Sequence, residues 1–216
     1  MKYGIIGSSG RMGNEIETLF QEKGHELVLR LDDKSIEKIS TPEILVDFSL
    51  PVALETTLEL VHEYKCPLII GVTGYNADQN ERIKTLGKEV AVVQSFNFSI
   101  GIHLMLKMTR QLKEALKDWD VEISETHHRF KKDKPSGTAK TLAAVFDREV
   151  TVNSSRLGNI PGDHSVTFGG LGETLCLSHR VLSRRTFAEG ALLAAEFALR
   201  HPAGYYTFSD VLSEDK

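Results

Sequence analysis

The sequence predicts an α/β protein in two parts: a first half built on a parallel sheet and a second, α+β half built on an open mixed sheet. Short apolar runs alternate with amphipathic helical segments to about residue 98, and glycines cluster where the first run ends. Beyond that point long, one-sided strand patterns follow with few helices between them. Regular strand–helix alternation implies parallel strands joined by right-handed crossovers, with ligands held beyond the carboxyl ends of the strands.

Residues 2–7 form a short buried strand that ends in glycine, and residues 11–23 carry Met12, Ile16, Leu19 and Phe20 at helical spacing. Residues 25–31 are a second strand, closed by Asp32 and Asp33, and residues 44–49 a third. Pro51 suits the first position of a helix running to about Tyr64. A strand over 67–72, the turn Thr73-Gly74, a polar helix and a strand over 90–94 complete this half. The second half opens on a helix over 100–119 with Leu104, Met108, Leu112 and Leu116 along one face. Residues 120–126 alternate as a one-sided strand does. A helix over 138–146 follows, then strands over 165–168 and 174–181. The last helix, over 185–199, is rich in alanine, interrupted by Gly190, and placed to return the chain to the first domain.

Gly7, Gly10 and Gly13 stand at the end of the first strand, spaced G-x-x-G-x-x-G. Glycine permits a tight turn and a close backbone approach to a pyrophosphate, which the following helix N-terminus favours. Ser9 stands where the usual dinucleotide fingerprint has its second glycine, and alone such a loop also fits a plain strand–helix connection. The flanking strand and helix, with Asp32 about 20 residues on to meet ribose hydroxyls, favour a dinucleotide-binding domain. Asp33 reads equally well as a solvated turn carboxylate.

Composition removes several functions. Hydrophobic residues make up 41% of the 216, enough for an ordinary core, and the formal net charge of −4 argues against a dedicated nucleic-acid binder. No apolar run approaches the roughly 20 residues of a membrane helix, and the N-terminus lacks a signal-peptide core. Cys66 and Cys176 have no C-x-x-C neighbours, which argues against a disulfide framework or zinc knuckle and for a reducing cytoplasm.

The chemistry concentrates in HHRFKKDKPSGTA, residues 127–139. Adjacent strand residues point to opposite faces, so His127 and His128 make a poor metal pair. A solvated basic loop is one reading. The other is an anion pocket with a proton donor: Pro135-Ser136-Gly137-Thr138 opens a helix with free amides and a hydroxyl, Lys131 adds a mobile charge, and histidine donates protons near neutrality.

This segment resembles the E-A/T-H-H-x-x-K-x-D-x-P-S-G-T-A signature of the 4-hydroxy-tetrahydrodipicolinate reductase family of lysine and diaminopimelate synthesis. The likeness extends over nearly the whole chain. Gly7-Ser8-Ser9-Gly10-Arg11-Met12-Gly13 is similar to the family's nucleotide loop, Asp47-Phe48-Ser49 with Pro51 to its D-F-S/T-x-P, Gly71-Val72-Thr73-Gly74 to its G-T-T-G, and Asn97-Phe98-Ser99 with Gly101 to its N-F-S-x-G. Gly162-Asp163-His164, Ser183-Arg184, Phe187-Ala188 with Gly190-Ala191, and the tail through Asp210-Val211-Leu212 continue it.

The resemblance implies a Rossmann-like domain over 1–98 joined by 185–216, and a substrate-binding and oligomerisation domain over 99–184 that builds a homotetramer. It implies NADH or NADPH as cofactor and a small cyclic dicarboxylate as substrate, with no nucleic-acid or membrane partner and no metal. It implies His127 as general acid and Lys131 as its catalytic partner, with His128, Gly137 and Thr138 on the substrate. Cofactor contacts fall on Gly7, Ser8, Ser9, Gly10, Arg11 and Met12, on Gly71, Val72 and Thr73, on Ser95, Phe96, Asn97 and Phe98, and on Asp32. Asp32 favours free ribose hydroxyls, whereas Arg11 and Lys34 suit a 2′-phosphate. Val72 replaces a family threonine and would remove a hydroxyl near the cofactor, Lys134 stands where alanine is usual, His103 replaces a frequent asparagine, and Ser95-Phe96 is bulkier than the common pair. An aspartate- or homoserine-dehydrogenase-like enzyme on a related scaffold would instead take amino-acid substrates, and a silent nucleotide sensor would have lost His127 or Lys131.

Overall fold

The structure, a computed structural model, describes residues 1–32 and 35–213, so Asp33 and Lys34 lie outside the described residues. The elements begin with β1 (Lys2–Ile6), α1 (Arg11–Glu22), β2 (Glu26–Leu31), β3 (Ile36–Lys38), β4 (Ile44–Asp47), α2 (Leu54–Tyr64), β5 (Leu68–Ile70), α3 (Ala77–Leu86) and β6 (Ala91–Gln94). They continue with α4 (Ile100–Ala115), β7 (Asp120–His127), α5 (Gly137–Ala143), β8 (Thr151–Arg156), β9 (Asp163–Gly169) and β10 (Thr174–Arg180). The chain ends with α6 (Arg185–Arg200), β11 (Gly204–Thr207) and α7 (Phe208–Val211). Two compact units result, Met1–Ser99 with Arg185–Lys216, and Ile100–Arg184.

In the first unit seven strands form one sheet in the order β11-β6-β5-β4-β1-β2-β3, parallel throughout except for β3. Parallel strands are covered on both faces, so their side chains are apolar on both. Tyr3, Ile5, Val46, Ile69 and Val93 pack on α1 and α6, while Ile6, Leu45, Leu68, Ile70 and Val92 pack on α2 and α3. Pro51 starts a single 3-10 turn, Pro51–Ala53, that leads into α2. The polar helix α3 is nucleated by a reciprocal cap: Asn76 accepts from the Gln79 amide, and Gln79 accepts from the Asn76 amide.

Gly190 does not interrupt the last helix; α6 runs unbroken, and an added Cβ there would stand 1.8 Å from the Phe98 carbonyl oxygen. Glycine is kept for close approach, and the neighbouring alanines serve the same seat. The edge strands β11, with alternate residues exposed, and β3, with all three residues exposed, carry too little apolar pattern to be expected from sequence.

In the second unit four strands run in the order β10-β9-β7-β8, with β7 and β8 parallel and the other pairs antiparallel. One face carries Ile123, Val166 and Phe168, covered by Ile102, Met105 and Leu106 of α4 and by Ala139 and Leu142 of α5. The buried stripe of α4 is therefore Ile102, Met105, Leu106 and Thr109; Leu104 and Met108, expected inward, are about half exposed. Leu112 and Leu116 of the expected stripe do pack against this core, so packing on the sheet departs from the periodicity only at Leu104 and Met108. Strand β8 was missed because Thr151–Arg156 holds only one large apolar residue, Val152.

Candidate active site

Strand β7 carries Ile123, Glu125 and His127 on its buried face, a period-two stripe that changes from apolar to charged at its carboxyl end. Register brings the neighbours alongside: His127 pairs with Arg156 of β8, and Glu125 with His164 of β9. Glu125, His127 and His164 are 2%, 7% and 4% exposed, so three ionisable side chains share one dry corner of the second unit.

A buried carboxylate needs donors, and Glu125 has several. It pairs with His127 through Nδ1. The Arg156 guanidinium donates to both of its oxygens at 3.0 and 3.1 Å, and the Ser136 amide donates to one at 3.3 Å. Burial resists its ionisation, yet the bonds it receives, with His127 and Arg156 among the donors, hold the Glu125 carboxyl below the usual range. Burial lowers the proton affinity of His127; Glu125 opposes that, and Lys131 and Arg156 add to it. A ligand-free imidazole in this setting is neutral near pH 7. Burial pushes His164 further, to about 3.

The loop after β7 is drawn onto this corner. Arg156 donates to the carbonyl oxygens of Lys131 and Asp133, and Lys131 Nζ sits 2.7 Å from Asp133. Burial works against ionisation of Asp133, but the Lys131 ammonium outweighs it and holds the carboxyl low. Ser136 then caps α5, its hydroxyl accepting from the Ala139 amide at 3.2 Å and lying 3.3 Å from His164 Nε2. Gly137 is exposed and a Cβ there would meet open space; Thr138 is half-buried. The segment 127–138 thus assembles an imidazole, an ammonium and a helix start around one buried ion pair. His128 is half-buried with its ring beside Phe130, and Lys134 is exposed.

The remaining predicted residues gather in the first unit at the carboxyl ends of adjacent strands: Gly7 to Met12 after β1, Asp32 after β2, Gly71 to Thr73 after β5 and Ser95 to Phe98 after β6. Gly7 has φ of +83°, and an added Cβ would stand 2.8 Å from the Ser49 Cα; one at Gly13 would reach 2.3 Å from the Gly7 oxygen. The start of α1 has no side-chain cap and no acidic residue in its first turn, which suits an arriving phosphate. Asp47, wholly buried, accepts from the Ser49 amide at 2.9 Å and from Thr57 at 2.7 Å, so this strand-end carboxylate holds the loop beside Gly7.

Several side chains there are committed to the fold. Ser8 is buried, and its amide donates to the Leu31 carbonyl. Phe98 packs on Phe48 and Phe208, and Val72 is a core residue, so both side chains are committed to the core. The threonine-to-valine departure thus falls at a position whose side chain is 2% exposed. Asp32 accepts from the Ser35 amide at 3.0 Å, which fixes one of its oxygens in a turn. Glu125, Arg156 and His164 are the residues that sequence reasoning did not single out. The first and last stand inside quoted motifs, whereas Arg156 ends the strand that hydropathy did not mark.

The chain has clear counterparts among known proteins. The family model "Dihydrodipicolinate reductase, N-terminus" matches residues 1–98, and its C-terminal counterpart matches residues 101–212. The chain is similar to 4-hydroxy-tetrahydrodipicolinate reductase of Thermosipho africanus, 46% identical over 99% of each chain. It is also similar to that of Zymomonas mobilis, 35% identical over 98% of this chain and 97% of the relative. Dipicolinate-bound dihydrodipicolinate reductase from Paenisporosarcina superposes with a TM-score of 0.77 at 23% identity, over 96% of this chain and 97% of the other. Aspartate dehydrogenase from Thermotoga maritima shares the fold more loosely, with a TM-score of 0.53 at 15% identity over 91% and 96% of the two chains. On both family models and on relatives matched end to end, the chain belongs to the dihydrodipicolinate reductase family.

Proposed function

We propose that this chain is a 4-hydroxy-tetrahydrodipicolinate reductase, converting its small cyclic dicarboxylate to tetrahydrodipicolinate with NADH or NADPH. The observation that carries the reading is the second unit's corner, where His127, Lys131 and the Ser136-capped start of α5 come from one short segment. Glycines 7 and 13 and the open first turn of α1 fit a dinucleotide pyrophosphate. When bound, the nicotinamide supplies a hydride to the ring; water leaves the hydroxylated substrate, and one proton completes the balance.

The protein's own part is binding, charge neutralisation and protonation. The amides of Gly137 and Thr138, with the Lys131 ammonium released from Asp133, receive a carboxylate. His128 adds a polar contact. A dianionic substrate raises the proton affinity of the nearby His127 imidazole, which charges on binding and then donates its proton. We place the enzyme in the cytoplasm as a homotetramer, following the family, and no helix of the described residues is long and apolar enough to cross a membrane.

The test couples the purified protein to a dihydrodipicolinate synthase reaction and follows NADH and NADPH oxidation separately. Substrate-dependent oxidation is expected with at least one. Its absence with both, or oxidation that responds only to aspartate or homoserine chemistry, rejects the reading.

A further inference from the structure

Glu125 is 2% exposed and its side chain touches no solvent, yet it is ionised and surrounded by donors from three elements. His127 approaches it from the same strand, Arg156 from β8 and the Ser136 amide from the start of α5. Arg156 reaches onward to the carbonyl oxygens of Ser155, Lys131 and Asp133. One ion pair therefore joins the imidazole, the lysine-bearing loop and the helix that opens the anion pocket.

We propose that Glu125 and Arg156 are positioning residues that fix His127 in the tautomer with its proton on Nδ1, leaving Nε2 as the nitrogen that exchanges a proton with substrate. The carboxylate accepts from Nδ1–H and has no proton of its own to offer, so the other ring nitrogen is the one left bare in the neutral imidazole. Residue 162 places no side chain against that nitrogen. A Cβ on residue 162 would come 3.0 Å from His127 Nε2, and the residue there is glycine. His164 lies edge-on with ring centroids 5.1 Å apart and is neutral, so it does not compete for charge.

The electrostatics assign Glu125 a second task. The charged and titratable groups facing His127 are Glu125 on its own strand, Arg156 on β8, His164 on β9, and Lys131 with its partner Asp133 on the loop before α5. Burial, Lys131 and Arg156 all disfavour a protonated His127; Glu125 is the group that favours it. Removing its charge while keeping its shape should make the imidazolium harder to form. The arginine, meanwhile, sets where the Lys131 backbone lies rather than contacting substrate itself.

The rate effects rest on the reductase reading above; the tautomer does not. In wild-type protein selectively labelled with ¹⁵N-histidine, the His127 signals, assigned by their loss in His127→Gln, should at neutral pH show a protonated Nδ1 and a bare Nε2. A protonated Nε2 with a bare Nδ1 overturns the proposal whatever the enzyme does. In Glu125→Gln, kcat should fall on the order of tenfold or more, with cofactor Kd within about twofold of wild type. The alkaline limb of its kcat/KM profile should move to lower pH by about one unit or more. A folded Glu125→Gln with an unmoved limb overturns the electrostatic role. Should the variant fail to fold, because it strands a buried guanidinium, the wild-type tautomer still decides. Wild-type protein without reductase activity but with the Nδ1–H tautomer would reject the function and leave the clamp standing.

Discussion

His164 is 4% exposed, and burial, followed by the charge of neighbouring His127, pushes its imidazole down to about 3. In the unfolded chain the same ring protonates near its ordinary value of 6.5. Between those values the unfolded state binds the extra proton, so this contribution to stability is full above about pH 6.5 and is lost as pH falls towards 3. The slope from this one group is bounded at about 1.4 kcal/mol per pH unit. Urea midpoints measured at pH 7 and pH 5 should fall with acidification in wild type and fall measurably less in His164→Asn; equal slopes would contradict the assignment. Gly137 supplies the opposite case, a residue the fold does not need to be glycine. Its Cβ position is open and its backbone is unstrained, so Gly137→Ala should keep its melting temperature while raising KM for the dicarboxylate about tenfold or more, because a methyl group occupies the carboxylate's space. A variant with unchanged KM would place the substrate elsewhere. At this scale His127 and Lys131 could be named from sequence because residues 127–139 resemble the family signature, which sets those two apart from the other basic residues of the segment. Glu125 and Arg156 were not, because what makes them matter is register across three strands.

Among the elements, α6 shows why composition and conformation have to be read together. An alanine-rich helix with an internal glycine looks weak in isolation, since glycine costs roughly 1 kcal/mol in a helix interior. Apart from Phe197, its buried residues are nonetheless Ala188, Gly190, Ala191, Ala194, Ala195 and Ala198, small residues that let the helix lie close to the sheet and to the Phe98 backbone. Gly190→Ala should therefore destabilise the protein by about 1–3 kcal/mol through overpacking, against the gain helix propensity alone would give. A thermal melt at or above wild type would contradict this seat. The strands and helices of the first unit were readable almost throughout, since parallel strands are apolar on both faces and their loops carry glycine and proline. In α4 the apolar residues of the first turns fall on two stripes, so spacing placed Leu112 and Leu116 correctly but not Leu104 and Met108, and in β8 polar residues alternate with polar residues, so hydropathy did not mark the strand.

The whole molecule separates two tasks between two units. The parallel sheet gathers the candidate cofactor residues at its carboxyl edge, and the four-stranded sheet gathers the proposed acid His127, its counter-charges and the proposed anion-binding start of α5. Covering helices lie on one face of that second sheet, and β8 and β10 keep exposed residues such as Leu175. Sedimentation equilibrium should return a mass near four chains; a monomer at micromolar concentration would contradict the homotetramer. The claim on which the rest depends is that His127 donates the proton. It is tested most directly by measuring, for His127→Gln, turnover in the coupled reductase assay beside NADH and NADPH affinity. Loss of about 10²- to 10⁴-fold in kcat with cofactor affinity unchanged is the predicted result. Turnover within a few-fold of wild type, or equal losses in turnover and cofactor affinity, would contradict it.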